Sequence, residues 1–255
     1  MNSVLARRSG PARPNQYPRL TRLDTALIVG GVAWIVGTLV YFIAQPLVAS
    51  AWTPGYSWLH NYISDLGDTA CGSFAVPHGT AMYVCSPRHG AMNSAFIVNG
   101  VLLGCGAVAL RNFWPQRTVT RRAIALLLIA AVLKVVVGLA PENVDVSLHL
   151  LGALNVPLGS VAILMLSASA GQSRPAVSVV GTVLAIIGLA GSALSIAAQF
   201  GTTALYFGLG VGGMERVATY PGSAWALIVG IAAIVAAMNA SNAPPGPAFA
   251  DAERC

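Results

Sequence analysis

The chain has 255 residues, of which 56% are hydrophobic and 9% charged, and its formal net charge is +6. Soluble domains carry roughly 25% charged residues, so this composition, with a mean hydropathy of +0.71, excludes a soluble globular enzyme, a disordered chain and a nucleic-acid binder. The positive charge lies where it would orient a membrane protein, not where it would grip an anionic polymer.

Crossing a hydrocarbon core takes ~20 mostly apolar residues in a helix. Six stretches qualify: 26–48, 91–110, 123–140, 148–170, 176–200 and 222–240. Bare backbone N–H and C=O groups are not tolerated in lipid, so each span is expected to be helical. None alternates in polarity as a barrel strand would. The expected fold is an all-α bundle of six transmembrane helices. Residues 25–240 form that domain, with the outer loop 49–90 included; 1–24 and 241–255 are expected to be disordered tails. Ala49-Ser50-Ala51 resembles a signal-peptidase site. The preceding apolar run exceeds the ~7–15 residues of a signal core, so the first span reads as an uncleaved anchor.

Lys and Arg collect on the cytoplasmic side of membrane spans. Arg7, Arg8, Arg13, Arg19 and Arg22 precede the first span, and Arg111, Arg117, Arg121 and Arg122 join the second to the third. Arg174 and Arg254 fall on the same side, against Arg88 and Arg216 on the other. The expectation is a multi-pass plasma-membrane protein with both termini cytoplasmic. Its arginine-rich face would meet anionic inner-leaflet lipids. Most acids (Asp65, Asp68, Glu142, Asp145, Glu215) and all histidines (His60, His78, His89, His149) fall outside.

Within the outer loop, Leu59, Tyr62, Ile63 and Leu66 recur at helical spacing, which predicts a short interfacial helix presenting His60, Ser64 and Asp65 on its polar face. Cys71 and Cys85 would pair as a disulfide in an oxidising space, stabilising the loop by ~3 kcal/mol in the chain-entropy model. Lys134 is the ionisable residue well inside a span. It is expected either to snorkel or to pair with Asp65, Asp145 or Glu215. Asn155 and Pro157 predict a kink in the fourth span. The segment 208–213 satisfies a dinucleotide-binding pattern by letter but follows no strand, and is read as a flexible loop.

Candidate catalytic residues are His60, Asp65, His149 and Glu215. Lys134, Arg216 and Asn93 are candidate ligand-binding residues. His60, Asp65, His89 and His149 offer imidazole and carboxylate groups of the kind that hold a metal and leave a position open for water, but they stand on separate elements without ligand spacing. No particular cofactor is expected.

The run Ile63-Ser64-Asp65-Leu66-Gly67 resembles a recurring element of the bacterial and archaeal membrane family known as domain of unknown function 998. So does Gly213-Met214-Glu215-Arg216-Val217, followed by Tyr220-Pro221 and Trp225. Asn93, Asn99 and His149 stand where that family's polar residues are expected. The resemblance covers about residues 26–240 and implies a six-helix integral membrane protein without implying an activity. The two-cysteine loop is longer than the resemblance implies.

Composition and topology lead to a membrane protein of structural or modulatory role with an outward-facing His/Asp/Glu/Arg cluster. The alternatives are a transporter or receptor for a charged small molecule, and an outer-leaflet lipid hydrolase using the same cluster. Pairing of the acids and bases with no space left favours the first; convergence around an open hollow favours the others.

Overall fold

A computed structural model describes residues 21–74 and 81–241. Among the described residues, seven α-helices form six membrane-length spans: α1 (Arg22–Ala49), α2 (His89–Ala109, continued as a 3-10 turn to Phe113), α3 (Thr118–Leu139), α4 (Val146–Ala153) with α5 (Asn155–Ala170), α6 (Pro175–Phe200) and α7 (Gly210–Ser241). Both predicted tails, apart from Thr21–Asp24 and Ser241, lie outside the described residues. The first helix starts earlier than its apolar run because Thr21 and Asp24 form a capping box, each side chain accepting from the other's backbone N–H.

The spans pack as a closed ring, each helix against its chain neighbours and α7 back against α1. Each is apolar all round, as membrane helices are. On α1, Val29, Val32, Val36, Leu39 and Ile43 are exposed, whereas Trp34, Thr38, Tyr41 and Gln45 point into the ring. Small residues let backbones approach: Gly31 and Gly230 meet where α1 crosses α7, and Gly152 seats α4 on α3. One end of the ring carries exposed Arg22, Arg111, Arg117, Arg121 and Arg122 and is closed by Trp34, Trp114 and Trp225, whose rings lie 5.0 and 5.9 Å apart around Trp225. The other, here the loop end, carries residues 50–88, 140–145 and 201–209.

The fourth span breaks at Leu154, between α4 and α5, where the kink was expected. Pro157 brings no N–H, and Asn155 donates its side-chain amide to Gly152 O at 2.8 Å. Below the break α5 packs along both α3 and α6; above it α4 packs chiefly on α3.

Two expectations are corrected. No amphipathic helix runs through residues 56–68: the segment is irregular, with one 3-10 turn, Ser64–Gly67, which is buried. Tyr56 and Arg216 take up the carbonyls of Trp58, Asn61 and Tyr62 that a helix would need for itself. Nor is 208–213 a flexible loop. The last helix begins at Gly210, well before the predicted 222, and Pro221 lies inside it. Its first free amides, Gly212 and Gly213, donate to Leu59 O, so the outer loop caps it. The turn into α7 places Gly208 and Gly210 at φ of +80° and +64°, the left-handed region glycine tolerates. The loop also holds a small antiparallel hairpin, β1 (Gly72–Phe74) and β2 (Met82–Val84), with Ser73 opposite Tyr83. The Cys71–Cys85 disulfide closes its base.

Candidate functional site

The outer loop docks on the bundle through a few bonds. Arg216, buried at the start of α7, donates to Gly212 O at 2.7 Å, Trp58 O at 2.8 Å, Asn61 O at 3.1 Å and the Tyr56 hydroxyl. Its neighbour Glu215 accepts from Ile63 N–H. Asn93 on α2 donates to Gly67 O at 2.8 Å. A Cβ at Gly67 would strike the Asn93 side chain, and one at Gly212 would strike Asn61 O, so both approaches require glycine. Arg216 and Asn93 thus hold backbone, which is not the ligand contact expected of them.

This docking builds a string of hollows that leads inward from the loop end. The outermost, about 260 Å³, is lined by Tyr62, Asp65, Asp68, Glu142 and hairpin residues. Tyr62 and Glu142 also line the next, about 350 Å³, with Ser64, His149 and Glu215 on its inner wall. Ser64, His149 and Glu215 then face a hollow of about 50 Å³ with Lys134 and Tyr41. Lys134 lines a further chamber of about 60 Å³ inside the ring.

The 350 Å³ cavity has two chemically different ends. Leu150 and Leu154 of the fourth span and Ile196 of α6 line its mouth, and each is exposed on the flank of a membrane-length helix. The mouth exists because the break at Leu154 leaves α4 on α3 while α5 stays on α6. The inner wall is polar. His149 Nδ1 lies 2.8 Å from Ala140 O, and since a carbonyl only accepts, Nδ1 carries the proton and Nε2 is left as an acceptor. Glu142 Oε2 is buried without a hydrogen-bond partner among the described residues, and the neighbouring Ser64 side chain favours the carboxylate against its burial.

Desolvation is the largest influence on Asp65, Asp68 and Glu142; Glu142 raises both aspartates, and Asp65 raises Asp68. Burial and then Glu142 push Asp65 up to about 7, against the lowering effect of Tyr62 N–H at 2.8 Å and of the Asn61 amide. Burial, Glu142 and Asp65 push Asp68 up to about 8, against the Asn143 N–H. Burial likewise raises Glu142. Unfolded carboxyls titrate near ~4, so between there and about pH 8 the folded loop retains protons that the unfolded chain releases. Loop stability therefore falls as pH rises through this window. Amide exchange across residues 61–74 is expected to be slower at pH 5.5 than at pH 8.5 after correction for intrinsic rates. Asp68→Asn should flatten that dependence.

Of the candidate residues, His149 and Glu215 share a cavity, and Lys134 joins them in the adjoining hollow. Asp65 faces the outermost hollow. His60 is exposed, and His89 sits at the start of α2 with Nδ1 2.9 Å from Ser86 O. The metal set His60, Asp65, His89 and His149 is therefore scattered, and among the described residues no three His, Cys, Asp or Glu side chains are grouped to hold a metal. Lys134 neither snorkels nor pairs. Its Nζ sits 4.2 Å from the Tyr41 ring centroid, with no acid in ion-pair contact among the described residues. Sequence reasoning missed that Ser64 and Glu142 line one cavity, and that the exposed Leu150, Leu154 and Ile196 form its mouth. Only the kink signal at Asn155 and Pro157 pointed there.

The sequence profile of the family described as protein of unknown function (DUF998) matches residues 35–232. The chain belongs to that family. The match spans the Ile63–Gly67 and Gly213–Val217 runs, the two segments that dock the loop on α7. No curated protein and no solved structure gives a significant match to the chain.

Proposed function

We propose that this multi-pass membrane protein binds an amphiphile in the bilayer leaflet at its loop end. The head would rest against Ser64, Glu142, His149 and Glu215, and the tail would leave between α4/α5 and α6. One observation carries the reading: a single cavity of about 350 Å³ joins a polar inner wall to an apolar mouth on the helix flank. Pockets with a few convergent polar groups on an apolar lining are the usual form of small-molecule sites. A purely structural cluster would have its acids and bases paired, whereas here Glu142, Glu215 and Lys134 line hollows with no ion pair among them. Among the described residues two carboxylates and no Lys or Arg line this cavity, which suits a cationic or hydrogen-bond-donating head.

The test is binding of a fluorescent long-chain alkylammonium to the purified chain in nanodiscs, with an alkyl sulfate of equal length as control. Leu154→Trp should fill the mouth and abolish saturable alkylammonium binding with little change in stability, because Leu154 is 44% exposed. Binding that is equal in wild type and Leu154→Trp would overturn the reading.

A hydrolytic version of the reading has its own support: an imidazole of fixed tautomer and the Ser64 hydroxyl face the same cavity. Release of fatty acid from a lipid ester, lost in both His149→Ala and Ser64→Ala, would establish it; no turnover leaves binding alone.

In orientation, the arginine-rich end faces the cytoplasm and the anionic inner leaflet of the plasma membrane, which is what the basic asymmetry favours. A reporter enzyme fused after residue 255 is expected to be active inside the cell, and activity outside would reverse the assignment.

A further inference from the structure

At the centre of the ring, beyond the amphiphile cavity, lies the chamber of about 60 Å³. It is several times larger than the space one water needs. Lys134, Asn99, Ser160 and Ser223 line it, and their exposures are 7%, 7%, 3% and 7%. None of these four side chains makes a hydrogen bond or ion pair among the described residues. Thr38 adds a hydroxyl, which reaches only Ser223 O at 3.5 Å, and Trp225 forms part of the wall. Buried polar side chains are ordinarily satisfied by protein or by something bound. Four helices bring these groups to one place and leave them without partners.

The donor set specifies what would satisfy them. An ammonium, a carboxamide and three hydroxyls can all donate, and among the described residues no carboxylate lines the chamber. Glu215 lies in the neighbouring hollow and is engaged by Ile63 N–H. The Tyr41 ring covers one side of the ammonium, but it brings no formal negative charge. A buried charge without a counter-charge is costly, and a mobile anion supplies one. We propose that the chamber binds a small monovalent anion of the halide class, with Lys134 as its counter-charge and Asn99, Ser160 and Ser223 as neutral donors. The absence of a carboxylate among the described lining residues argues against a metal cation.

The test uses the full chain in nanodiscs, with chloride replacing gluconate at constant ionic strength. Wild type is expected to show a saturable rise in Tm with chloride and a matching calorimetric titration. Lys134→Met should abolish both. Asn99→Leu should weaken chloride by about tenfold, the share of one hydrogen bond to a charged group. No chloride response in wild type, meaning that only water fills the chamber, would overturn the proposal. So would a response that Lys134→Met leaves unchanged. Where Lys134→Met does not fold, Asn99→Leu and Ser160→Ala carry the test, and unchanged affinity in both contradicts it. Alkylammonium binding in the outer cavity is scored separately, so either proposal can fail alone.

Discussion

Arg216→Ala is expected to destabilise the loop end by about 3–5 kcal/mol, since several hydrogen bonds from one charged donor, each worth about 1.5–3 kcal/mol, are lost together. The guanidinium satisfies three carbonyls, those of Trp58, Asn61 and Gly212, and also donates to the Tyr56 hydroxyl. Truncation would leave the buried acceptors Asn61 O and Gly212 O without that donor and would free the segment that caps α7 through Leu59 O. Arg216→Lys should recover little, because one ammonium on a flexible stem cannot reproduce a planar fork that spans several acceptors. Denaturant titration in bicelles checks the global loss, and protease nicking between residues 50 and 88 checks the local one. A variant with wild-type stability and an intact loop would mean that the docking bonds contribute little.

Gly31→Val is expected to cost about 3 kcal/mol, the upper part of the range for overpacking. A Cβ on Gly31 would lie 2.5 Å from Gly230 O and 2.8 Å from Ile234 Cγ1, and one on Gly230 would lie 2.8 Å from Gly31 O. The obstruction is backbone on both sides, so relief requires α1 and α7 to separate along the seam that closes the ring. Gly90→Val is the matched control, since no described atom lies near a Cβ there and helix propensity, which slightly favours Val over Gly, is all that changes. Equal stabilities for the two variants in the same titration would contradict the close crossing.

The spans were legible because hydropathy over some twenty residues is a strong signal that needs no tertiary information. Their ends were less so. Residues 210–221 are helical in part because Leu59 O accepts from the free amides of Gly212 and Gly213, and a carbonyl from another segment leaves no mark on local pattern. The same long-range bonds explain the failed helix at residues 56–68: the periodicity of Leu59, Tyr62, Ile63 and Leu66 was real, but Tyr56 and Arg216 took the carbonyls first.

The site was legible in its residue types and not in its geometry. Lys134, His149 and Glu215 stood out as polar groups in apolar surroundings, and they do face adjoining hollows. Arg216 and Asn93 stood out for the same reason, yet they hold backbone. Sequence shows that a polar group is costly where it stands; it does not show whether a neighbour or a ligand meets the cost. The cavity mouth was invisible because exposed Leu150, Leu154 and Ile196 look like any lipid-facing residues.

The most direct measurement is photolabelling with an alkylammonium that carries a diazirine near the middle of its chain, followed by mapping of the adducts by mass spectrometry. The amphiphile site predicts saturable labelling of Leu150, Leu154 and Ile196, competed by unlabelled alkylammonium. Adducts spread evenly over other lipid-exposed positions such as Val29, Val132 and Ile231, with no competition, would contradict it.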